Sequence, residues 1–135
     1  MTPELQDKLI AKYPDQFKNL KWIECDDGWY GILSRLCYIV NNRLAYKKRL
    51  NEPLEDFGWS QIKEKFGGLR AYCYGADDFI NGATDMTESV SFVTCEITGE
   101  QGKVRSKKYD ENGQPIPAWV KTLSDNEASK QGYVV

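Results

Sequence analysis

The chain predicts an α+β fold, with helices at the N-terminus, a β-hairpin at the centre, and a second hairpin followed by a short helix at the C-terminus. Three observations carry that reading. Apolar residues recur at helical spacing over 29–44, two strand-like segments flank the glycine pair at 67–68, and a further pair, 104–108 and 116–122, flanks the turn sequence Asp110-Glu111-Asn112-Gly113. At 135 residues one hydrophobic core is expected, so 1–135 reads as a single domain, with a core of 1–94 and a C-terminal part of 95–135.

Each element follows from local chemistry. Thr2 caps a first helix that has Pro3 in its first turn and Glu4 at the positive end of its dipole. Leu5, Leu9 and Tyr13 share a face of it, and Pro14 ends it. Lys21-Trp22-Ile23-Glu24 is a short strand or an extended connector. Asp26-Asp27-Gly28 offers a second cap, after which Trp29, Ile32, Leu33, Leu36, Cys37, Val40 and Leu44 mark the main helix, running to about residue 50. Its basic end, Arg43 to Arg49, suits the negative pole of the dipole and reads as a solvated terminus.

Residues 51–58 form a loop punctuated by Pro53 and Gly58. Strands at 62–66 and 69–74 then meet at a two-residue turn, Gly67-Gly68, because glycines supply the positive φ of tight hairpins. Residues 77–93 fit a helix through Phe79, Ile80, Ala83, Met86, Val90 and Val93, weakened by Gly82. The second hairpin follows, and a last helix runs from Ser124 towards Gln131, stopped by Gly132.

Composition narrows the function classes. Apolar content of 41% with 13% aromatics is that of a globular chain, and no apolar run reaches the length of a membrane span. The N-terminus lacks a secretory signal, so a cytoplasmic location is expected. Cys25, Cys37, Cys73 and Cys95 are widely spaced and read as free thiols. A net charge of −2 gives no bulk argument for nucleic acid, so any such case rests on local patches. There is no histidine, and with it go the commonest general base and transition-metal ligand. With no nucleophile–base pair, phosphate-cradling glycine loop or metal cluster, the chain reads as non-catalytic, with no cofactor.

The central hairpin supplies the candidate site. With the turn at Gly67-Gly68, Lys65 stands opposite Arg70, Lys63 opposite Tyr72, and Glu64 opposite Ala71. Ile62, Phe66, Leu69, Ala71 and Cys73, with the anomalous Glu64, then face the core, while Lys63, Lys65, Arg70, Tyr72 and Tyr74 face outward. Like charges across a strand pair need something negative between them. A phosphate would serve, with the tyrosines stacking on bases; so would neighbouring acids such as Asp56 or Glu64, leaving a plain solvent-facing surface. Arg105 and Lys107, with Lys108, form a second basic strand that suits either nucleic-acid contact or an exposed edge. Glu64 needs a partner, Arg35 or Arg70 being the candidates.

The run Trp59-Ser60-Gln61-Ile62-Lys63-Glu64-Lys65-Phe66-Gly67-Gly68-Leu69-Arg70, with Gly28-Trp29-Tyr30 before it and Cys95-Glu96 and the segment 119–123 after it, resembles a family of small uncharacterised bacteriophage and prophage proteins. The resemblance implies a C-terminal zinc-knuckle-like module of the form C-x-x-C, hairpin, C-x-x-H. Here only Cys95 remains of the four ligands, since Thr98, Ser124 and Glu127 stand at the other positions, so the module reads as degenerate and metal-free. Ser124-Asp125-Asn126-Glu127 is instead a capping box that would fix the helix start by hydrogen bonds.

The expected function is therefore a non-catalytic phage or prophage binding protein that recognises an anionic ligand, nucleic acid or nucleotide. The competing reading is a protein–protein effector that inhibits a host protein. Exposed aromatics discriminate: Trp22, Trp59 and Tyr46 gathered on one apolar patch favour a protein partner, and tyrosines interleaved with lysines favour nucleic acid.

Overall fold

The computed structural model describes residues 1–135, the side chain of Ala118 excepted. In chain order the elements are α1 (Pro3–Lys12), β1 (Ile23–Glu24), α2 (Tyr30–Arg49), β2 (Gly58–Lys65), β3 (Gly68–Tyr74), α3 (Asp78–Ser91), β4 (Lys103–Tyr109), β5 (Pro115–Leu123) and α4 (Asp125–Gln131). β1 pairs parallel with β2, and β2 pairs antiparallel with β3, giving a three-stranded sheet in the order β1-β2-β3; β4 and β5 form a separate antiparallel pair. The α+β class and the order of helices and hairpins match the expectation.

The main core forms where α1 and α2 cover one face of the sheet. Leu9, Leu33, Leu36, Cys37 and Val40 are buried against Ile23, Trp59, Ile62 and Leu69, with Ile80 of α3 closing one side. A second buried cluster, Cys95, Leu123, Ala128 and Tyr133, organises the C-terminal part. The two parts meet at Gly28. Its N–H donates to the Glu96 carbonyl at 2.7 Å, and a Cβ there would lie 2.3 Å from the Cys95 carbonyl oxygen, so only glycine fits.

Several local expectations are corrected. Thr2 has the extended backbone of a cap, but its side chain makes no capping bond; its N–H donates to Asp27 Oδ1 at 2.7 Å. Asp26 likewise caps nothing with its side chain, and a single 3-10 turn (Asp27–Trp29) precedes α2. β2 starts earlier than expected, at Gly58, because Trp59 is a core residue. A bulge between Trp59 and Gln61 breaks the two-residue alternation that would have revealed it.

The central turn is Phe66-Gly67, not Gly67-Gly68. Both turn residues have positive φ, 52° and 83°, and Glu64 Oε2 accepts from the Gly67 N–H at 2.7 Å, which secures this choice. Phe66 is accordingly exposed rather than core-facing. Lys63 therefore stands opposite Arg70, Gln61 opposite Tyr72, and Glu64 opposite Leu69. The pairing moves in a step that preserves parity, so each strand residue outside the turn keeps its expected face.

At the C-terminus Ser124 caps α4, accepting from the Glu127 N–H at 3.3 Å. The reciprocal half of the box is missing: the Glu127 carboxylate accepts from Lys130 Nζ at 3.1 Å and Gln131 Nε2 at 3.3 Å instead.

Candidate functional site

The outward face of the sheet carries a shallow groove of about 660 Å³ whose walls include Lys21, Trp22, Glu24, Gln61, Lys63 and Tyr72. β1 explains its composition. Ile23 and Cys25 point into the core while Trp22 and Glu24 point out, a short alternation that projects an indole, 61% exposed, over the groove. The segment stays extended because the buried Gln6 amide acts as a further strand partner: its Nε2 donates to the Lys21 carbonyl at 3.0 Å and its Oε1 accepts from the Ile23 N–H at 2.7 Å. Tyr72, 40% exposed, stands on β3 opposite Gln61, and Lys63 lies on β2 beside Glu24 in the parallel register.

The other expected residues are disposed differently. Lys65 is exposed beside the turn, with its ammonium 5.9 Å from the Phe66 ring. Arg70 pairs with Glu88 of α3 at 3.1 Å, an ion pair whose Nε–H is not aligned as a hydrogen bond. The negative group demanded by Lys63 opposite Arg70 is thus partly supplied within the chain, by Glu88. Neither Asp56 nor Glu64 does so, since Asp56 pairs with Lys18 and Glu64 holds the turn; nor does Glu64 pair with Arg35 or Arg70. Tyr74 folds over Gly58 at the sheet end, where its hydroxyl accepts from Asn19, so it stands apart from Tyr72.

Arg105 and Lys107 are engaged inside the C-terminal part. Arg105 is only 6% exposed; its Nε donates to the Leu123 carbonyl at 2.9 Å and its guanidinium pairs with Asp125. Lys107 Nζ donates to the Gln131 carbonyl at 2.6 Å and lies 5.7 Å from the Tyr133 ring. Both tie β4 to the chain end, so the picture of an exposed basic strand gives way to one in which Arg105 points inward. Sequence patterning missed this because the alternation of β4 says which residues share a face, not which face meets α4.

Of the positions matched to the knuckle, Thr98 and Ser124 lie at Cys95, whereas the Glu127 carboxylate is taken by Lys130 and Gln131. Residues 95–99 form a tight turn closed by the Gly99 N–H on the Cys95 carbonyl at 2.9 Å, with Gly99 at φ 79°. Burial pushes the Cys95 thiol up, but the Thr98 hydroxyl and the backbone N–H groups of Ser124, Thr98 and Ile97 point at the sulfur and hold it below its ordinary value. Cys25 and Cys37 show the opposite outcome, both pushed up to about 12 by burial. Among the described residues, no group of three or more His, Cys, Asp or Glu side chains could hold a metal ion.

No family model matches this chain, and no curated protein or solved structure matches it either. Among the described residues no helix is long and apolar enough to cross a membrane. Lys21, Gln61 and the supporting Gln6 were not singled out from sequence. The alternation from Trp22 to Cys25 was a usable signal for the groove, since it places Trp22 on the same sheet face as Gln61, Lys63 and Tyr72, but it marks neither Lys21 nor Gln6.

Proposed function

We propose that the chain is a non-catalytic binding protein of phage or prophage type whose sheet groove takes a single-stranded nucleic acid, or a nucleotide as its smallest unit. The observation that carries this reading is the exposed Trp22 indole sharing a groove with Tyr72, Lys21 and Lys63. Aromatic faces stack on bases of any identity and flanking lysines neutralise phosphates, the combination by which sheet surfaces hold single strands. Trp59 is fully buried and Trp22 lies among lysines rather than on an apolar patch, which weighs against a host-protein inhibitor acting through this face. In the same reading, the C-terminal part descends from a zinc knuckle whose metal has been replaced by hydrogen bonds around Cys95 and Ser124.

The test is titration of the protein with short single-stranded DNA and RNA oligomers, followed by tryptophan emission and anisotropy at several salt concentrations. Contacts from Lys21, Lys63 and Lys65 to three phosphates give a log–log salt slope of about −2. Trp22→Ala removes a stacking contribution of about 1–3 kcal/mol, and Lys63→Ala flattens the slope. Binding unchanged in a folded Trp22→Ala, Lys63→Ala double variant would remove the groove from consideration.

A further inference from the structure

The helical side of the molecule carries a second surface, and its charge is segregated. α2 contains Arg35, Arg43, Lys47, Lys48 and Arg49 and no acid, whereas α3 contains Asp78, Asp85 and Glu88 and no lysine or arginine. The two helices lie antiparallel: Arg43, near the end of α2, pairs with Asp77 at the start of α3 at 2.9 Å and stacks over Phe79 at 4.9 Å.

Between them opens an apolar groove of about 310 Å³, lined by Ile32, Leu36, Ile39, Ala83, Met86 and Val90. On α3 the residues 79, 82, 86 and 90 form one stripe at helical spacing, which Val93 extends just past the helix end, and Phe79, Met86 and Val93 are 51%, 65% and 58% exposed. Gly31 and Gly82 sit within the helices where a Cβ would meet nothing within 4 Å, so neither is demanded by packing inside the chain although each weakens its helix. Such glycines leave room for another backbone to approach.

We infer that this face is the contact between two copies of the chain, related by a two-fold axis running along the helices, so that α2 of each copy lies over α3 of the other. Charge selects that arrangement. The alternative two-fold axis, across the helices, would lay α2 on α2 and α3 on α3, setting cations against cations and acids against acids. With the axis along the helices, the contact is isologous and opposite charges meet on both sides of an apolar seam. Arg35 lines the groove at the level of Met86 and Thr87. In the paired arrangement it faces α3 of the second copy, a helix without lysine or arginine. The sheet groove lies on the other side of the molecule and stays free.

Sedimentation equilibrium and light scattering over a wide protein concentration range test the inference without any nucleic acid. The expected mass is twice 15.5 kDa. Met86→Asp, with an unchanged circular dichroism spectrum, sediments as a monomer. Arg35→Glu, which places an acid against the acidic helix of the second copy, raises the dissociation constant by about tenfold or more. A wild-type chain that is monomeric at every concentration overturns the inference, even if a different protein occupies the groove. A Met86→Asp variant that stays dimeric overturns it too, as does an Arg35→Glu chain that pairs as tightly as the wild type.

Discussion

Glu96 is only 2% exposed, and one of its carboxylate oxygens, Oε1, is buried without a hydrogen-bond partner. The other accepts from the Asp26 N–H at 3.2 Å. Burial first, and then the neighbouring Asp26 charge, push its carboxyl from an ordinary 4.5 up to about 7; Lys121 pulls the other way and Glu64 adds a smaller push. An acid whose folded pKa exceeds its unfolded one binds more protons in the folded state throughout the interval between them. Stability therefore falls as pH rises from about 4.5 to about 7 and is level above that. At 1.36 kcal/mol per pKa unit, the interval is worth about 3 kcal/mol.

The perturbation is Glu96→Gln, which keeps the shape and abolishes the charge. Urea unfolding between pH 5 and pH 7.5 reads the outcome. With a slope of about 1.5 kcal/mol per molar, the wild-type midpoint falls by about 2 M across the window, whereas the variant stays flat and is the more stable protein at the upper end. Asp77 does not blur this: burial pushes its carboxyl up, but the Ile80 N–H, the Arg43 hydrogen bond and the charges of Arg43 and Lys47 outweigh it and hold it below its ordinary value, so its contribution is lost only at more acid pH. Parallel pH profiles for the wild type and Glu96→Gln would refute the reasoning, since they would mean that Glu96 is already solvated or paired in the native state.

Two further predictions concern the turn and the knuckle. Phe66 is 71% exposed and held at φ 52°, so Phe66→Asn, a residue that adopts this conformation readily, stabilises the protein by about 0.5–1 kcal/mol; a lowered midpoint in thermal unfolding would show that the ring has a contact worth more than the strain. Installing a full ligand set with Thr98→Cys, Ser124→Cys and Glu127→His beside Cys95 produces one tight zinc site per chain, read by the tetrahedral thiolate spectrum of bound cobalt and by a zinc-dependent rise in Tm. A triple variant that folds yet takes no metal would sever the proposed descent from a zinc module.

The order of elements was legible because it depends on periodicity and punctuation, both local. Met86 and Val90 repeat at helical spacing, and Asp110 Oδ1, accepting from the Asn112 and Gln114 N–H groups at 2.9 and 2.8 Å, fixes the turn that its sequence announces. The hairpin register was not legible, because Gly67-Gly68 is an acceptable turn by φ alone, whereas the turn adopted is held by Glu64 and, from far along the chain, by the Thr122 hydroxyl donating to the Gly67 carbonyl at 2.6 Å. The faces survived because parity is conserved under that shift. Arg105 was misread for a different reason: a cation can be buried wherever carbonyls and a carboxylate converge on it, here Leu123, Val134 and Asp125, and no pattern within 103–109 encodes such convergence. Gln6 was equally invisible, since its role as a surrogate strand edge exists only once α1 lies across β1.

If two copies pair through their helical sides, the consequences for the groove follow from geometry alone. α2 covers the face of the sheet that holds Ile62 and Leu69, whereas Trp22, Lys63 and Tyr72 lie on the other, so joining two chains through α2 and α3 points their grooves away from each other. One short strand then occupies one groove and gains nothing from pairing. A strand long enough to pass around the dimer engages both, and the second contact forms at the high effective concentration that tethering provides, which raises avidity by about 10²–10⁴. Dimerisation would thereby convert a modest stacking site into a reader of strand length, discriminating long single strands from free nucleotides without a base-specific contact.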